Sequence, residues 1–128
     1  MNNKLISISA LLAILAVALG AFGTHTLSEL LTTEKLNSYE TGVRYQFYHS
    51  LALLIIGLNA NKLNATALIG KFMVIGIVFF SFSIYLLSLQ ELIGTNLSIL
   101  GPITPIGGLF LMFSWLILMI KNYKKAKL

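Results

Sequence analysis

Apolar residues in this chain come in long runs rather than in strict alternation, and four runs stand out. Residues 5–22 contain no charged side chain. Residues 39–60 are polar in their first half and apolar in their second. Residues 67–89 carry one cation, Lys71, near an end where its stem can reach the head groups. Residues 103–120 are again free of charge. A helix that crosses hydrocarbon needs about 20 mostly apolar residues, so each run predicts a transmembrane helix. The expected fold class is all-α: an integral membrane four-helix bundle, with residues 1–128 as a single transmembrane domain.

The connection at residues 23–38 is the longest. Thr26 and Glu29 have capping-box spacing, and Asn37 with Glu40 repeats it loosely. They predict a short interfacial helix near residues 27–31 and a second span that begins near Ser38. The other connections are short and predict antiparallel neighbours. Within the first span, Ser9, Ala13, Ala16, Gly20 and Gly23 form a small-residue stripe. Such a stripe lets helix backbones approach, within one bundle or across a dimer. The fourth span opens with Pro105, which suits a first helical turn, and with Gly107 and Gly108. These two glycines predict close helix packing or a ligand at the helix N-terminus.

Composition supports a membrane protein. Hydrophobic residues make up 57% of the chain and charged residues 10%, against about 25% charged in ordinary soluble domains. The net charge of +5 forms no stripe with interleaved aromatics, which argues against nucleic acid as a partner. Instead Lys121, Lys124, Lys125 and Lys127 cluster after the fourth span, where they would meet anionic lipid. Four spans would put Lys4, Lys62, Lys71 and these four lysines on one side, and only Lys35 and Arg44 on the other. Basic loops stay in the cytoplasm, so both termini are expected there. Lys4 followed by Ala16, Ala18 and Gly20 also resembles a signal peptide, but the apolar run is long enough to be a retained span. There is no cysteine, which removes disulfides and every thiolate site.

Polar groups inside a span are costly, so each marks a candidate site. The second span holds most of them. At helical spacing Gly42, Tyr45, Gln46 and His49 share a face, while Glu40 and Arg44 form an i,i+4 ion pair on another. His25, Ser81, Tyr85, Ser88 and Thr104 belong to the same outer half of the other spans. A closed bundle would gather His49, Tyr45, Gln46, His25, Tyr85, Ser81 and Thr104 into one network. That network reads either as structural, fixing helix register, or as an outer-leaflet pocket for a small or amphipathic ligand. His25 and His49 would need a carboxylate to hold a metal, or each other to hold haem, and their separation in sequence favours neither. No catalytic residue, metal or cofactor is assigned. The expected partners are the lipid bilayer and either a second copy or another membrane protein. A non-enzymatic assembly role leads, with ligand binding or transport and haem- or quinone-linked redox chemistry as alternatives.

Four stretches carry a family resemblance: residues 20–25 (GAFGTH), 45–52 (YQFYHSLA), 80–85 (FSFSIY), and 103–108 (ITPIGG) leading to Trp115. The chain resembles the YwdK/YgdD-like family of small bacterial inner-membrane proteins, a domain of unknown function. The resemblance implies a four-span architecture in the bacterial cytoplasmic membrane and no assigned reaction. Thr24 and Ser50 stand where that family usually has alanine, and Phe82 and Ser114 where it has glycine. The last two imply a looser contact between the third and fourth spans.

Overall fold

A computed structural model describes residues 1–123. Lys124, Lys125 and Lys127 lie outside the described residues. Among those described the fold is all-α, with four long helices and no strand. α1 (Asn3–Phe22) runs through a π-helical stretch, Gly23–Leu27, into the short α2 (Ser28–Leu30). α3 spans Thr33–Leu58. α4 (Thr66–Ile77) passes through a second π-helical stretch, Val78–Phe82, into α5 (Ser83–Ile93). A 3₁₀ turn, Ser98–Leu100, precedes α6 (Ile103–Tyr123).

By length and composition, three continuous helices among the described residues suffice to cross a membrane: Asn3–Leu30, Thr66–Ile93 and Ser98–Tyr123. α3 is long enough at 26 residues but is not among them: Glu34, Lys35, Glu40 and Arg44 stand in its first half, and Gln46 and His49 follow near its middle. The expected loop at residues 23–38 is mostly helix. Thr26 lies inside the π-helical stretch and caps nothing. The working cap of α3 is Thr32, whose hydroxyl accepts from the Lys35 amide. Hence α3 begins before Ser38, and Gln46 stands near its midpoint rather than toward one end.

Two apolar clusters form the interior. Leu5, Leu12, Leu53, Ile56, Ile69, Met73, Ile77 and Leu111 make the larger. Leu27, Tyr39 and Tyr85 make the smaller, toward the other end. The small-residue stripe of α1 faces inward in part: Ser9, Ala16 and Gly23 are buried, Gly20 meets Val43, and Ala13 is only half-buried. A methyl group added at Gly23 would lie 2.8 Å from the Tyr39 ring.

Contact between the third and fourth long helices is close at Gly107 and Gly76. A Cβ on Gly107 would fall 2.3 Å from the Phe80 amide nitrogen, and one on Gly76 would meet the Leu111 backbone at 3.0 Å. Ser114 is fully buried and returns its hydroxyl to the Leu111 carbonyl of its own helix. Gly108 is looser, with the Phe80 ring 3.7 Å from an added Cβ.

At one end of the molecule the N-terminal ammonium donates to Asn61 Oδ1 at 3.1 Å. There too the Asn64 amide donates to Asn122 Oδ1 at 2.8 Å. The N-terminus, the 59–65 turn and the end of α6 therefore share that end.

Candidate functional site

The polar side chains of α3 divide into separate hydrogen-bonded groups rather than one cluster. The deepest centres on Gln46, which is completely buried. Its Nε2 donates to the Leu12 carbonyl of α1 at 2.8 Å, and its Oε1 accepts from the Tyr85 hydroxyl of α5 at 2.8 Å. One layer away, the buried Ser81 hydroxyl donates to the Gly42 carbonyl at 2.8 Å. Gly42 has no side chain to obstruct this: an added Cβ would sit 2.7 Å from the Tyr85 ring. Tyr39 closes the group by donating to the Leu19 carbonyl at 2.7 Å, beside the first π-helical stretch.

His49 belongs to a different pair. Its Nδ1 lies 2.7 Å from the Tyr45 carbonyl, which can only accept. Its Nε2 lies 3.0 Å from the Trp115 indole nitrogen, which can only donate. The ring is thereby the neutral Nδ1–H tautomer with both nitrogens engaged. This leaves no lone pair for a haem iron or metal in this arrangement.

The remaining predicted residues fall elsewhere. The Tyr45 side chain is 43% exposed and contributes its ring, stacked on His49 and tilted against Phe80, rather than its hydroxyl. His25 is exposed in the π-helical stretch. Thr104 shares a 2.6 Å hydrogen bond with Ser83, away from Gln46. Arg44 and Glu40 approach to 3.8 Å on the surface, and Arg44 also donates to Thr41 at 3.1 Å. No group of three His, Asp or Glu able to hold a metal occurs among the described residues. Nor does any fully buried side-chain nitrogen or oxygen among them lack a partner.

Sequence reasoning missed two members. Tyr39 was placed at the edge of the span and is one of its most buried residues. Trp115 is the chain's single tryptophan, and its indole donor needed an acceptor at membrane depth. That requirement was the available signal.

Comparison with known proteins gives a consistent picture. Residues 19–108 match the family described as "Protein of unknown function (DUF423)". The UPF0382 membrane protein YwdK of Bacillus subtilis is 40% identical over 122 residues, covering 93% of this chain and 95% of that protein. A UPF0382 membrane protein of Staphylococcus epidermidis is 42% identical over 122 residues, with 94% and 96% covered. One from Haemophilus influenzae is 36% identical over 129 residues and covers both chains fully. No solved structure matches. The long apolar helices and these full-length relatives together identify the chain as a membrane protein that belongs to the DUF423 family.

Proposed function

We propose that the protein is a multi-pass component of the bacterial cytoplasmic membrane, a four-helix bundle with both termini on the cytoplasmic side. Its role in this reading is association with other membrane helices rather than catalysis. The carrying observation is how its polar and small residues are distributed. Gln46, Tyr85, Ser81, Tyr39, His49 and Trp115 bond to one another or to backbone carbonyls, mostly between helices. Their chemistry is committed to holding the bundle.

The outward face of α1 differs. Ala10, Ile14, Val17, Ala18 and Ala21 are exposed at helical spacing, on the side away from buried Leu5, Ser9, Leu12 and Ala16. That strip continues into a shallow groove of about 300 Å³ lined by Ala16, Val17, Gly20, Ala21, Val43 and Phe47, with Arg44 and Tyr48 at its border. Without a hydrophobic drive between helices in lipid, small residues that admit a close backbone are what promote docking. The orientation is supported by Lys4, Lys62, Lys71 and Lys121, all exposed and on the half of the molecule that holds the N-terminus.

Because the chain has no cysteine, single cysteines report cleanly. Ala18→Cys and Ala21→Cys should give cross-linked species in native membranes on oxidation or with a short bifunctional maleimide, and Leu12→Cys, on the buried face, should not. Equal cross-linking at all three, or at none, would remove the outward face of α1 as the docking surface.

A further inference from the structure

On the other side of the molecule from that groove, a recess of about 180 Å³ opens between α3, α5 and the start of α6. Lys35, Ser38, Ile84, Leu87, Ser88 and Thr104 line it, so its wall holds one cation, three hydroxyls and no carboxylate. Ser88 is only 3% exposed as a residue, but its hydroxyl oxygen is not fully buried and has no hydrogen-bond partner among the described residues. A serine on a helix usually satisfies itself on the preceding turn; this one opens onto the recess instead. Lys35 is half-buried and makes no ion pair among the described residues.

Two long helices also begin here. Lys35 stands in the first turn of α3 and Thr104 in the first turn of α6. Helix N-termini carry partial positive charge that favours an anion nearby. An ammonium, the unbonded hydroxyls of Ser38 and Ser88 and two positive helix ends ask for a compact ligand rich in acceptor oxygens, while the Thr104 hydroxyl is taken by Ser83. Ile84 and Leu87 supply an apolar wall beside it, which suits a ligand with an alkyl portion.

We infer that this recess is a phosphate-binding site, with Lys35, Ser38 and Ser88 as its donors and a phosphodiester head group or free phosphate as its ligand. It goes beyond the assembly role proposed above and does not depend on it. The donors are held at three points of two helices, so the site exists only when α3 and α5 are in register.

The test uses purified full-length protein in a neutral detergent, titrated with phosphatidylglycerol, with phosphatidylcholine and with inorganic phosphate, and read by native mass spectrometry. Saturable binding of phosphatidylglycerol or inorganic phosphate is expected. Loss of one charge-assisted donor should weaken it about tenfold in Lys35→Gln, with a smaller loss in Ser88→Ala. Arg44→Gln, which removes an equal charge from the same half of α3, should bind as the parent does. Binding of inorganic phosphate alone identifies the free anion as ligand, and lipid binding that inorganic phosphate fails to displace identifies the head group. Ser38→Ala, at an exposed position, serves in place of any variant whose thermal midpoint falls without ligand. No saturable binding, or equal weakening in Lys35→Gln and Arg44→Gln, would overturn the site.

Discussion

Gln46 joins three segments with one amide, to the Leu12 carbonyl on one side and the Tyr85 hydroxyl on the other. Interhelical hydrogen bonds in membranes average about 0.6 kcal/mol and reach about 1.7 kcal/mol. Gln46→Leu should therefore destabilise the protein by about 1–3 kcal/mol, since it also strands the Tyr85 hydroxyl in the interior. Tyr85→Phe should cost less, and the double variant should show a coupling energy of at least about 0.5 kcal/mol. Steric-trap or denaturant unfolding of the four proteins in one detergent measures it; strict additivity would mean that the 2.8 Å contact contributes nothing. At this scale the sequence marked Gln46, Ser81 and Tyr85 correctly as inward-facing, because helical spacing fixes a face. It did not reveal that Tyr45 is exposed or that Trp115 completes His49. Those outcomes depend on the rotation of one helix against another, which spacing along a single helix does not specify.

Between elements, glycines decide how near the helices come. The third and fourth long helices touch backbone to backbone at Gly107, with no room for even a methyl group. Gly107→Ala should lower stability by about 1–3 kcal/mol through overpacking. Gly108→Ala meets only a ring at 3.7 Å and should be neutral or slightly stabilising, since alanine loses less backbone entropy in a helix. Thermal midpoints of the two variants, measured side by side, check the contrast; equal shifts would mean that the close approach is not what Gly107 provides. The Ile-Thr-Pro-Ile-Gly-Gly stretch announced a tight helix start, so this element was legible. The π-helical stretches were not. Each leaves the apolar pattern on either side intact, so hydropathy along the chain does not mark it. The start of α3, before Ser38, was not legible either. Several Thr, Ser and Asn residues in 23–38 have cap chemistry, and it is Thr32 whose hydroxyl accepts from the Lys35 amide.

For the whole molecule, the surface is governed by its solvent. Leu11, Ile14, Val17, Ile55, Leu68, Val78, Phe79, Met112, Phe113 and Met119 are all exposed large hydrophobics, which a soluble protein would not tolerate in such numbers. All-α architecture and membrane residence followed from the apolar runs alone, because the bilayer admits few alternatives. α3 is the exception that carries the account. It is too polar in its first half to enter hydrocarbon by composition, yet Tyr39, Gln46 and His49 find partners on α1, α5 and α6. The proposed four-span reading requires α3 to cross the membrane with those partners supplied by its neighbours. Single cysteines at Glu34, Asn61 and Thr95, probed in intact cells with a membrane-impermeant maleimide, test it most directly. Labelling is expected at 34 and 95 from outside, and at 61 only after the cells are opened. Labelling of 34 and 61 from the same side would contradict it.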